Sequence, residues 1–172
     1  KKREPIAYIL RKKEFWKNNF YVNKDVLIPR PETEFLVDET LKIISNYQKK
    51  RLLEIGIGSG CIITSILKDR KNCYATGIDC CEKALKIAKT NVKLHQIENR
   101  IKIFKSDVDN FNTGKYDLII SNPPYIDKHQ LKYLGVSEYE PCKALNGGVS
   151  GTEILSKVCL LYTSDAADDD HC

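Results

Sequence analysis

Methionine is missing from all 172 residues, and the chain opens on Lys1-Lys2-Arg3-Glu4. A reading frame begins with methionine and a domain of this size ordinarily holds a few, so a piece of a longer protein is expected. Long apolar runs are missing too. None approaches the ~18 residues that cross a bilayer, so no membrane partner is expected. Seven cysteines stand at 61, 73, 80, 81, 142, 159 and 172, yet no two have C-x-x-C spacing. The odd number, the adjacent pair and the absent spacing disfavour a disulfide framework or a zinc knuckle. The expectation is reduced thiols in a cytoplasmic protein without a metal, several of them serving as small core residues. No internal repeat occurs.

What is present describes an ordinary globular domain. Hydrophobic residues make up 42% and charged residues 30%, which disfavours disorder and collagen. A chain of ~170 residues can bury one real core. Charge is unevenly spread. The first thirty residues carry nine Lys or Arg against three acids, whereas residues 162–172 carry four Asp and neither Lys nor Arg. The run Asp168-Asp-Asp-His-Cys172 has metal-ligand chemistry, but a solvated acidic tail is the expectation for it.

The pattern divides the chain. Residues 14–22 read as two short aromatic strands around Asn18-Asn19, where Asn tolerates positive φ and a hairpin turn fits. Pro29 and Pro31 then stiffen an extended segment. Phe35, Leu36, Val37, Leu41, Ile44 and Tyr47 recur at helical spacing, predicting a helix over 33–48. From residue 51 onward strands alternate with helices: strand 51–55, helix 61–68, strand 73–78, helix 82–94, strand 100–104, strand 116–121. That alternation predicts βαβ units and a mostly parallel sheet, an α/β Rossmann-like domain. The domains expected are a hairpin linker over 1–30, an α/β domain over 31–161 and a non-native or disordered tail over 162–172.

The candidate chemistry sits at strand ends. After the first βαβ strand comes Glu54-Ile-Gly56-Ile-Gly58-Ser-Gly60-Cys61. Its glycines allow a tight turn and close approach of a ligand, and the next helix aims its N-terminus there. The dinucleotide fingerprint G-x-G-x-x-G is absent, because Cys61 and Ile63 break both registers. Acid-x-Gly-x-Gly-x-Gly is instead the form this loop takes in methyltransferases that use S-adenosylmethionine (SAM). A plain glycine turn is the alternative reading. Asp79, closing the second strand, has two acceptor oxygens for the two hydroxyls of a ribose diol. Asp107, after the third strand, is placed to accept from an adenine amine, although spacing alone leaves it equally a solvated acid. Asn122-Pro123-Pro124-Tyr125 follows the fourth strand. The prolines fix the Asn122 side chain and carbonyl, and Pro123 adds a second carbonyl acceptor. Such a turn suits a planar NH2 group packed on Tyr125, or is structural only. His95 and His129 are expected to be surface histidines.

Asn-Pro-Pro-Tyr after a fourth strand resembles the catalytic motif of methyltransferases acting on amide or exocyclic amino nitrogens. Four more stretches resemble one family: Glu4-Pro-Ile-Ala-Tyr-Ile-Leu10, Glu14-Phe-Trp16, Leu27-Ile-Pro-Arg-Pro-Glu-Thr-Glu34 and Glu140-Pro-Cys-Lys-Ala-Leu-Asn-Gly-Gly148. Together these are similar to the HemK/PrmC family of peptide chain release factor glutamine N5-methyltransferases, over roughly residues 4–158. The resemblance implies a SAM-dependent methyltransferase fold and SAM as cofactor. It implies class I release factors as partners, with a monomer and no stable nucleic acid contact. It implies catalytic and substrate contacts at Asn122, Pro123, Pro124 and Tyr125, and cofactor contacts at Glu54, Gly56, Gly58, Gly60, Asp79, Asp107 and Asn122. It also implies a preceding helical domain and further strands after the fourth, beyond this stretch. The family usually has Gly where Arg11 and Lys17 stand, and Asp where Ser150 stands. The alternatives are an N6-adenine methyltransferase on DNA or RNA, or an inactive fragment.

Overall fold

The computed structural model describes residues 4–111 and 114–166. A short helix α1 (Ile6–Leu10) leads into strands β1 (Lys12–Phe15) and β2 (Asn18–Tyr21), which pair antiparallel. Arg11 ends α1 in the left-handed region at φ 51°, the conformation glycine adopts without strain. The hairpin turn is Trp16-Lys17, not the expected Asn18-Asn19, because Phe15 pairs with Asn18. Trp16 takes a positive φ of 54° there. Packing explains the choice. In this register Phe15 and Phe20 share the buried face, edge to face at 6.2 Å, and Lys17 stays in solvent. A turn two residues later would rotate Lys17 onto that buried face.

After the Pro31–Thr33 turn, helix α2 runs Glu34–Ile43. It stops short of the predicted residue 48. Ile44 turns extended and is buried, and Tyr47 lies almost fully in solvent. The stop has a tertiary cause. The Arg70 guanidinium donates to the Leu41 and Ile44 carbonyls at 2.5 and 2.7 Å, capping orphan groups at the helix end.

The sheet contains β3 (Arg51–Ile55), β4 (Tyr74–Asp79), β5 (Ile101–Lys105) and β6 (Leu118–Ser121) in the order β5-β4-β3-β6, all parallel. Helices α3 (Cys61–Asp69) and α4 (Glu82–Leu94) make the first two crossovers. They pack with α2 on one face over Leu52, Ala75, Ile101 and Ile120. The other face, Leu53, Ile55 and Ile78, is covered by Val108, Phe111 and the last helix through Val158 and Leu161. This is the doubly wound arrangement expected. The chain leaves β3 toward β4 on one side, while β6 returns on the other. That switch point opens a crevice at the carboxyl ends of β3 and β6.

Beyond β6 lie β7 (Ile126–Asp127), α5 (Lys128–Leu131), β8 (Asn146–Gly148) and α6 (Glu153–Ala166), with β7 and β8 paired parallel. The backbone of α6 continues five residues into the stretch expected to be a tail. The Asp168–Cys172 run lies outside the described residues. Cys61 and Cys73 are buried, and the described cysteines are all free thiols, with burial pushing the Cys61 thiol up to about 12. No helix among the described residues is long and apolar enough to cross a membrane.

Candidate active site

Strand alternation aims Glu54 at the face of Leu52, beneath α3, because successive side chains point to opposite faces. It is only 1% exposed. Its Oε2 accepts the Ile63 N–H at 3.2 Å, one of the free donors in the first turn of α3. Burial raises its carboxyl well above the usual carboxylate range, against the pull of that hydrogen bond.

The glycine loop then reverses the chain over β4. The Gly56 and Ile57 N–H groups both donate to the Ile78 carbonyl at 2.9 Å. Gly56 takes φ +72°, and a Cβ there would project into open space. Gly60 starts α3 at φ +77° with Ala88 packed beneath it. Asp79 locks the loop from the next strand. Its Oδ2 accepts the Gly58 N–H at 2.9 Å and its Oδ1 accepts the Cys81 N–H at 2.8 Å. Burial raises the Asp79 carboxyl, and these two backbone donors oppose the shift. Each oxygen keeps a second lone pair for an outside donor.

A cavity of about 430 Å³ opens above this loop, within the ordinary size of small-molecule sites. Its lining brings together Glu54, Gly56, Gly58, Asp79, Asp107, Asn122 and Pro124. Gly60, Pro123 and Tyr125 do not line it. Tyr125 stands outside the lining with 70% of its surface exposed. Asp107 is exposed, and its Oδ1 accepts the Val108 N–H at 2.7 Å. Asn122 follows β6, whose end is tied to β3 by the Ser121 hydroxyl donating to the Ile55 carbonyl at 2.9 Å. The Asn122 Nδ2 group donates to Thr33 Oγ1 at 3.3 Å.

Several working residues carried no role in the sequence reading. Asn91 is fully buried on α4. Its Nδ2 donates to the Ser59 carbonyl at 2.8 Å and the Tyr21 carbonyl at 2.9 Å, while its Oδ1 accepts the Tyr21 N–H at 2.7 Å. The glycine loop and the hairpin are thereby joined. A polar residue on the apolar stripe of Ala84, Ala88 and Val92 was the available signal. Glu140 is buried and accepts from the Ile28 N–H at 3.1 Å and Arg30 Nη2 at 2.5 Å. It ties the segment after β6 to the Pro29-Arg30-Pro31 segment, and both segments line the cavity. Gly147 packs against the Asn-Pro-Pro-Tyr backbone, so that a Cβ would lie 2.8 Å from both the Pro124 carbonyl oxygen and the Tyr125 Cα. His95 is half-buried rather than a surface histidine. It packs on Phe20 at 4.8 Å, and its Nε2 donates to the Asn19 carbonyl at 3.0 Å. His129 is exposed, as expected.

The Coxiella burnetii protein named release factor glutamine methyltransferase is 42% identical over 155 residues, covering 90% of this chain and 55% of that protein. Its Caulobacter vibrioides namesake is 38% identical over 153 residues, covering 87% of this chain and 53% of that protein. The chain thus spans about half the length of these curated relatives. The hMettl16 catalytic domain, solved in complex with MAT2A 3'UTR hairpin 6, shares the fold. Its TM-score is 0.60 at 20% identity, over 84% of this chain and 56% of that one. The family model described as Methyltransferase small domain matches residues 32–138. Because that stretch runs from the Pro31–Thr33 turn through all four parallel strands and past Asn122, the chain belongs to the methyltransferase small domain family.

Proposed function

We propose that this chain is the SAM-dependent catalytic part of a protein-glutamine N5-methyltransferase. Its substrate is the glutamine of the Gly-Gly-Gln motif in class I peptide chain release factors. The observation that carries the reading is the Asn122 amide on the cavity wall, anchored through Nδ2. No donor among the described residues reaches its Oδ1, and that atom is not sealed from solvent. The names of the Coxiella and Caulobacter relatives support glutamine as the acceptor.

The residues present fit SAM. Gly56 leaves open space where a Cβ would stand, and Asp79 and Asp107 offer acceptors to hydroxyl and amine donors. When bound, SAM supplies an electrophilic methyl group on a sulfonium. An amide nitrogen is a poor nucleophile because its lone pair is delocalised. Asn122 Oδ1 and the Pro123 carbonyl accept from the substrate NH2, hold the nitrogen in line and favour its pyramidal form. The exposed Tyr125 ring packs on the planar amide at the mouth. Methyl transfer would leave the amide nitrogen with a proton to lose to water, so no strong base is required of this chain's residues. Residues 1–30 serve as a linker to the catalytic unit over 31–161, acting as a monomer in the cytoplasm.

The test is incubation with a release factor and methyl-labelled SAM. Label on the Gly-Gly-Gln glutamine is expected. Label on adenine of a nucleic acid substrate instead would move the reading to an N6-adenine methyltransferase. A melting midpoint unmoved by SAM would favour an inactive fragment.

A further inference from the structure

We propose that Thr33 is the positioning residue for Asn122, fixing the plane of its amide so that Oδ1 is presented to the substrate. This rests on reading Asn122 as the acceptor for the substrate NH2. The two ends of an asparagine amide are nearly the same size, so only hydrogen-bond partners orient it. The productive orientation turns Oδ1 toward the substrate NH2. The reversed one would set donor against donor. In the productive orientation Nδ2 points away from the substrate and needs an acceptor of its own. Thr33 Oγ1 is that acceptor, at 3.3 Å from a position 89 residues earlier in the chain.

Thr33 is held in place independently of Asn122. Its own N–H donates to the Arg30 carbonyl at 3.1 Å. Arg30 and the Ile28 N–H are both gripped by the buried Glu140 carboxylate. Pro29 and Pro31 restrict the backbone between those grips. The backbone that carries the hydroxyl is therefore fixed independently of Asn122, and β-branching restricts the side chain on it to few rotamers. A hydrogen bond to this hydroxyl limits amide rotation and leaves the substrate to meet a preset acceptor.

The experiment compares the chain with its Thr33→Val, Thr33→Ala and Thr33→Ser variants. Val keeps the shape without the hydroxyl, Ala is a second hydroxyl-free form should Val not fold, and Ser restores the hydroxyl. The first readout needs no turnover: the side-chain amide NH2 resonances of Asn122 by NMR. They are expected to shift and exchange faster in Val or Ala and to stay near the parent in Ser. The second readout is kinetic. In Val or Ala kcat is expected to fall about tenfold, the loss of roughly one hydrogen bond, with KM for SAM unchanged, and Ser is expected within about twofold of the parent. Unmoved Asn122 resonances would overturn the proposal. So would a raised KM for SAM at constant kcat, which would make Thr33 a cofactor ligand. If the parent chain methylates no glutamine, the functional reading falls, while the amide resonances still decide whether Thr33 orients Asn122.

Discussion

The cavity has two halves that are built differently. The glycine-loop half comes from one β-α-β unit, and its main partners, Glu54, Gly58 and Asp79, lie within 26 consecutive residues. The Asn122 half is assembled from distant pieces: Thr33 accepts from Asn122, Gly147 packs on the turn, and the Glu140–Arg30 pair holds the segment that carries Thr33. A local motif holds its own geometry through backbone hydrogen bonds. The turn carrying the proposed acceptor amide takes its rigidity from distant residues instead. The difference implies that damage to the first half should appear in cofactor affinity, and damage to the second in turnover.

Asn122→Ala should have the largest effect. Removing one preorganised polar group at a reacting centre lowers kcat by roughly 10²–10³, while the SAM-induced shift in melting midpoint should survive. Loss of both would break the division between the halves. Asn91→Ala comes next. It strips three hydrogen bonds at a fully buried position and should cost roughly 3 kcal/mol, or about 6–12 °C in melting midpoint for a chain of this size. SAM affinity should weaken with it, since the Ser59 carbonyl loses its anchor. Gly147→Ala should follow. The added methyl must displace the Pro124 and Tyr125 backbone, and such overpacking costs roughly 1–3 kcal/mol. A fall in kcat with unchanged SAM binding is expected. The smallest effect belongs to His95. Burial, then the Lys68 charge, lowers its imidazole below the ordinary value. The unfolded chain therefore takes up a proton before the folded one does. Stability should be full above about pH 6.5 and decline as pH falls below it. Melting scans of a His95→Gln variant should lack that component.

The local half is also the legible one. Strand β3, helix α4 and the acid-x-Gly-x-Gly-x-Gly loop stand where the sequence pattern put them, because each is dictated by neighbours in the chain. The hairpin turn and the end of α2 were misread for the opposite reason. Trp16 accepts positive φ so that Phe15 and Phe20 can share a core face, and α2 stops where Arg70 caps it. The Arg70 cap comes from 26 and 29 residues further along the chain, and the core that buries Phe15 and Phe20 is built by helices far beyond the hairpin. The same holds for the site. Asp79 and Asn122 could be picked out by strand-end position, whereas Thr33 and Glu140 were visible only as letters in a resembling stretch. Their function depends on meeting residues 89 and 112 positions away.

The Glu140 grip on Ile28 also bears on the order of events in time. Closing a contact across 112 residues pays its chain entropy late, after nearer contacts have formed. The parallel sheet and glycine loop can therefore form first, leaving a nascent chain that holds a cofactor cradle without a finished acceptor site. The Ile28 amide proton reports the closing step directly. In pulse-labelled refolding it should gain protection after the β3 and β4 amides, so that the Asn122 half of the cavity is the last part of this chain to close.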